Sequence, residues 1–187
     1  MTNKRTQIIE PKPGVPIRWV VMGVSGCGKS AIGAGLAAAL DVPFLEGDQY
    51  HPPANVVKMS AGTPLDDNDR AGWLQVLHDE IAAARKRGTG LVLSCSALKR
   101  RYRDLLRKAD PELRFAHLAG ERELIASRMS TRVGHYMPLS LLDSQLRDLE
   151  PLQADEAGIT LDIASGPMEL VAAIVQSASA EADISKV

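Results

Sequence analysis

Only two cysteines, Cys27 and Cys95, occur in the 187 residues. Two thiols cannot build a disulfide framework, so a reduced, cytoplasmic setting is the expectation. An excess of one charge is lacking too: 22 Lys and Arg stand against 23 Asp and Glu, a formal net charge of −1. A dedicated nucleic-acid binder would be strongly basic, and this chain is not. No apolar run approaches the ~18 residues that a membrane-spanning helix needs. Residues 1–16 are polar and carry Pro11, Pro13 and Pro16, and they are expected to form a flexible arm, not a secretory signal. What is present is an ordinary globular mixture, 45% hydrophobic and 24% charged. The length suits one core of about 100–200 residues. The reading is therefore a single domain over 17–178, between the arm and a flexible tail at 179–187.

Short β-like runs alternate with helical ones. Residues 17–22, 43–45, 91–95, 115–118 and 159–163 read as strands. Helices are expected at 31–40, over one or two turns at 54–60, and after Pro64, where Leu74, Leu77, Ile81 and Ala84 share a face and Gly88 makes a stop. Further helices follow around Tyr102, Leu105, Leu106 and Ala109, at 121–132, at 139–150 and at 168–177. Five strand-helix alternations predict an α/β fold, a five-stranded parallel sheet with helices on both faces. Ligands of such sheets bind beyond the carboxyl ends of the strands. The segments to read for chemistry are thus 23–30, 46–58, 94–99, 119–122 and 164–167.

The first of these, Gly23-Val24-Ser25-Gly26-Cys27-Gly28-Lys29-Ser30, matches G-x-x-x-x-G-K-[ST] between a strand and a helix. Glycines let the backbone curl so that successive N–H groups meet phosphate oxygens, and the helix that begins near Ala31 adds its positive end. Lys29 would reach the β- and γ-phosphates of a nucleoside triphosphate, and the Ser30 hydroxyl would ligate Mg2+. Cys27 reads either as a small residue that fits the loop or as a thiol activated by Lys29 and the helix end.

Other phosphate-loop classes lack their signatures here. No N-K-x-D motif for reading guanine and no L-S-G-G-Q signature of a transporter ATPase occurs. The third strand ends Ser94-Cys95-Ser96 without the usual aspartate. Metal help would then come from Ser30, with Asp48 or Glu46 acting directly or through water. This pattern points to a small-molecule kinase.

The chain also resembles the gluconokinase family from about Trp19 to about Ile174. The resemblance rests on the loop 22–30 and on Gly47-Asp48 with His51-Pro52. It continues through Asn55, Lys58-Met59, Gly62, Pro64-Leu65, Asp67, Asp69-Arg70 and Trp73-Leu74. Further on lie Cys95-Ser96-Ala97-Leu98-Lys99, Tyr102-Arg103-Asp104, Arg128, Arg132, Gly134-His135, Gln145 and Leu149-Glu150. It implies a nucleoside-kinase-like fold with a mobile helical lid, about 121–150. It also implies a homodimer and ATP-dependent phosphorylation of D-gluconate at its 6-hydroxyl. The family often has aspartate at Glu46 and serine at Cys27, which leaves the metal role of Glu46 the less secure. The alternative is a kinase for another small polar acceptor, shikimate-like or a nucleoside monophosphate.

Phosphoryl transfer depends chiefly on positioning and charge neutralisation. Asp48, at a strand end, is expected to orient the attacking hydroxyl, or else to serve as a helix cap. An acceptor carboxylate needs a cationic fork. Arg70 leads by resemblance to related kinases, with Lys58, Lys99 and Arg103 as alternatives; the competing role for Arg70 is an ion pair with Asp66 or Asp67. His51 would bond an acceptor hydroxyl or else serve the structure, and His135, at the tip of the lid, is expected in the acceptor site. Lys99 apart, most of the charges at 99–108, Arg103 among them, read as solvated exterior, not a nucleic-acid patch. Arg128 and Arg132, four apart, share a helix face. They would close on the transferring group, with one of them stacking on adenine as an alternative, or pair instead with Glu121 or Glu123.

Overall fold

A parallel strand covered on both faces reads as a near-continuous apolar run, and Arg18–Met22 (β1) is buried at every position. In the computed structural model, which describes residues 17–131 and 138–184, β1 is the middle strand of a five-stranded sheet. Phe44–Glu46 (β2), Leu91–Ser94 (β3), Arg114–Ala119 (β4) and Gly158–Asp162 (β5) complete it in the order β2-β3-β1-β4-β5. Every pairing is parallel. The helices are Lys29–Leu40 (α1), Pro53–Ser60 (α2), Asp67–Arg87 (α3), Arg100–Ala109 (α4), Arg122–Ser130 (α5), Leu139–Asp148 (α6) and Pro167–Ile184 (α7). The expected α/β sheet is present, and all five strands fall where the alternation places them.

Two core layers follow from the strand period of two. Trp19 and Val21 pack with Leu36 of α1 and Ile174 of α7 on one face. Val20 and Met22 pack with Leu74, Leu77 and Ile81 of α3 and Leu106 of α4 on the other. Leu77 and Ile81 are fully buried, and each such side chain stabilises by about 1.5–3 kcal/mol. Helix α3 starts sharply because Asp66 and Asp69 bond each other's backbone N–H groups in a capping box. It stops at Gly88, whose φ of 67° is left-handed.

Two expectations are corrected. Helix α7 runs to Ile184, beyond the end expected at Ser177, because the Ala-rich run after it favours helix over a tail. In α4 the buried set is Tyr102, Arg103, Leu106 and Ala109. Arg103 therefore belongs to the interior and not to a solvated charge run. No helix among the described residues is long and apolar enough to cross a membrane.

Candidate active site

The phosphate loop lies between β1 and α1, and its geometry follows from its glycines. Gly28 caps α1 with φ 100°, where a side chain would be strained. It offers no side-chain hydrogen bond, and the first turn of α1 holds no acidic residue. The positive end of the helix is thus left for an anion. Lys29 Nζ turns back to the Val24 carbonyl at 3.0 Å. The Ser25 N–H donates to Gln145 Oε1 of α6 at 2.6 Å. Cys27 is buried beneath the loop, and burial pushes its thiol pKa up by more than Lys29 lowers it. It fits the packing role and not the activated one. The Cys95 thiol is likewise pushed up, to about 12, by burial.

Across the cleft, β2 runs into a 3₁₀ turn, Gly47–Tyr50, that presents Asp48. Only glycine fits at 47, since a Cβ there would lie 2.1 Å from the Ser94 carbonyl oxygen. Trp73 fixes this turn by donating its Nε1–H to the Gly47 carbonyl at 2.7 Å. His51 stacks on Trp73 with ring centroids 4.1 Å apart. Burial lowers the His51 pKa; the charge of Asp48 opposes that shift and Arg70 adds to it. The ring is therefore neutral at pH 7 and able to bond a hydroxyl.

Arg70, only 7% exposed, projects from α3 into the same cleft. Its Nη1 donates to the Tyr102 hydroxyl at 3.2 Å and faces Asp148 Oδ2 of α6 at 3.4 Å. It does not pair with Asp66, which caps α3, or with Asp67. Asp67 instead accepts the Tyr102 hydroxyl, Arg101 and Lys99. Those three contacts, Tyr102 foremost, hold its carboxyl far below the usual range.

Ser25, Lys29, Asp48, His51 and Arg70 therefore line one cleft, together with Trp73, Ser96, Ser144 and Gln145. Of the described residues expected to hold the acceptor, Lys58, Lys99 and Arg103 fall outside its lining. Lys58 is held by Asp69 at 2.7 Å and Lys99 by Asp67 at 3.1 Å. Arg103 is the clearest correction: it is fully buried, and all three guanidinium nitrogens are occupied. They bond both Glu156 oxygens and the carbonyls of Ala97, Leu98, Glu150 and Pro151. A side chain so engaged has no donor left for a ligand. Arg128 donates to the Ile163 carbonyl at 2.7 Å, not to Glu121 or Glu123. Glu46 accepts the Ser94 hydroxyl. Arg132 and His135 lie outside the described residues. Gln145 is marked in the sequence only by the family resemblance and Ser144 not at all, because nothing in the α6 sequence separates a cleft-facing polar side chain from a solvated one.

A glycine-rich loop after the first strand of a parallel sheet, with an acidic turn and a cation facing it, defines a phosphate-loop kinase of small molecules. The comparisons agree. A family model described as shikimate kinase matches residues 25–160. The gluconokinase of Gluconobacter oxydans (strain 621H) is 45% identical over 97% of this chain and 99% of its own length. The thermosensitive gluconokinase of Escherichia coli (strain K12) is 48% identical over 75% of each chain. A solved gluconokinase from Sinorhizobium meliloti 1021 is 43% identical, covers 91% of this chain and 96% of its own, and superposes with a TM-score of 0.82. The chain belongs to the gluconokinase family of ATP-dependent phosphotransferases.

Proposed function

We propose that the protein transfers the γ-phosphoryl group of ATP to the 6-hydroxyl of D-gluconate, giving 6-phospho-D-gluconate. The observation that carries this reading is the placement of Arg70, a buried guanidinium, in the cleft that also holds Lys29 and Asp48. Lys29 exchanges the Val24 carbonyl for the β- and γ-phosphates, and the loop amides hold the phosphoryl oxygens. Asp48 orients the attacking hydroxyl. The His51–Trp73 stack supplies a flat face for the carbon chain, with His51 bonding a hydroxyl at its edge. Arg70 takes the carboxylate as a fork. Arg128 and Arg132 serve the nucleotide side, His135 the acceptor, and all three the closing of a lid over 121–150.

Ser30, with Asp48 or Glu46 through water, fits Mg2+ as a partial shell completed by phosphate oxygens. Bound there, the metal would screen phosphate charge. No cluster of three or more His, Cys, Asp or Glu among the described residues could hold a metal unaided. We place the reaction in the cytoplasm and the enzyme in a homodimer, on the family resemblance.

The shikimate kinase model match favours one second reading, a shikimate-like acceptor. Coupled ADP release with Mg-ATP and D-gluconate, shikimate, AMP, CMP or no acceptor separates them. Gluconate-dependent turnover with a quiet blank is expected. Turnover with shikimate or a nucleotide alone would overturn the acceptor and leave the phosphate chemistry.

A further inference from the structure

Two contacts on His51 together decide which of its ring nitrogens carries the proton. Trp73 stacks on the ring at 4.1 Å with the planes 17° apart, which fixes the plane but leaves the ring free to turn within it. Asn55, four residues on in α2 and only 3% exposed, removes that freedom. Its Nδ2 donates to the Asp69 main-chain carbonyl of α3 at 2.8 Å. A carbonyl oxygen only accepts, so the amide nitrogen and not the amide oxygen faces that way. The same nitrogen lies 3.4 Å from His51 Nδ1, which leaves its second hydrogen for the ring. Nδ1 is thereby an acceptor, and a neutral imidazole must then carry its proton on Nε2. Among the described residues nothing hydrogen-bonds that outer nitrogen, and the ring lines the cleft beside Asp48 and Arg70.

We propose that Asn55 is a positioning residue that locks His51 in the Nε2–H tautomer, so that His51 meets the acceptor only as a hydrogen-bond donor, to an oxygen with a free lone pair. This rests on the place of His51 in the acceptor site given above and adds what that ring can and cannot bond. Asp48 supplies the opposite polarity: its carboxylate takes a hydroxyl proton, whereas Nε2–H gives one. A polyol chain offers both kinds of partner, while an ammonium group has no lone pair and is refused at His51. Trp73 joins the two groups, since the indole that stacks on His51 also bonds the Gly47 carbonyl of the turn that presents Asp48. Without Asn55 the proton can sit on Nδ1, and Nε2 then turns a lone pair toward the lone pairs of the acceptor.

The tautomer is read by long-range 1H–15N correlation on the full-length, acceptor-free enzyme. The chain has four histidines, and the signals lost in His51→Gln assign the ring. The parent is expected to show a protonated Nε2 and a bare Nδ1 at His51, and Asn55→Ala a mixture of both tautomers. In Asn55→Ala the KM for D-gluconate should rise about 2- to 10-fold, the range of one neutral hydrogen bond, with smaller changes in kcat and in the KM for ATP. In a His51→Gln background the same substitution should add little, since the ring through which it acts is gone. A parent His51 protonated on Nδ1 would overturn the proposal whether or not Asn55→Ala folds. So would an unchanged tautomer in Asn55→Ala, or an equal KM penalty with and without His51, which is what a purely structural tie between α2 and α3 would give. A chain silent toward gluconate whose His51 still changes tautomer in Asn55→Ala would support the lock and remove only the acceptor reading.

Discussion

Arg70 and Lys29 make different demands on their surroundings, and their substitutions should fail differently. Arg70 stands in a nearly closed setting between Tyr102 and Asp148. Arg70→Ala should raise the gluconate KM by about 10²-fold or more, the scale of a lost charge-assisted bond pair, with a smaller change in kcat. Steady-state kinetics in gluconate checks this, and an unchanged KM would remove Arg70 from the carboxylate site. Lys29→Ala should lower kcat by about 10²–10³-fold, with the circular dichroism spectrum unchanged. The roles of such residues are partly legible in the sequence. A phosphate loop is a local pattern whose function follows from its own glycines, and Lys29 can be read from it directly. Arg70 and Arg103 are not separable that way. Both are arginines near the start of a helix, and only packing decides that one opens into the cleft while the other is engaged by Glu156 and four carbonyls.

At the scale of elements, that second arginine is the clamp between α4 and the segment that follows α6. Glu156 sits at its centre, also bonded by Arg107 and the Gln153 N–H. Burial alone would raise the Glu156 pKa, but the hydrogen bonds from Arg103, then Arg107, outweigh it and hold the group at about 2 against an ordinary 4.5. A depressed carboxyl pKa means that the unfolded chain binds the proton more tightly. The stabilisation is therefore complete above about 4.5 and is lost as the pH falls toward 2. Urea melts across that window should show a stability slope that flattens in Glu156→Gln. Glu156→Ala, which strands a buried guanidinium, should cost about 3–5 kcal/mol at neutral pH. An Ala variant within about 1 kcal/mol of the parent would contradict the clamp. Strand positions and the α3 stripe are readable because hydrophobic period and capping are local. The clamp is not, because its partners are 53 residues apart in Arg103–Glu156 and a charged helix face looks solvated in sequence.

For the whole molecule, the nucleotide is a ligand of the native state only. Saturation at about 100 times Kd should add about 2.7 kcal/mol to stability. Calorimetric scans with Mg-ATP analogue should show a raised Tm in the parent chain and little rise in Lys29→Ala. Equal shifts in both would place the nucleotide elsewhere. The overall architecture can be anticipated because alternating strands and helices admit few arrangements. The order of the strands cannot, since it depends on which edges meet after β1 is covered. That order has a consequence of its own. The strands ahead of the acceptor-side segments, β2 and β3, lie on one flank of β1, while β4 and β5 lie on the other. On the proposed reading, the acceptor-side segments follow β2 and β3 on one flank, while the phosphate loop follows the central strand β1 and Arg128 follows β4 beyond it. Sequence drift confined to 46–73 and 94–99 can retarget the enzyme to a new alcohol while its phosphoryl donor stays the same. On that reading, the acceptor-side segments can change while the central phosphate loop keeps its phosphoryl donor.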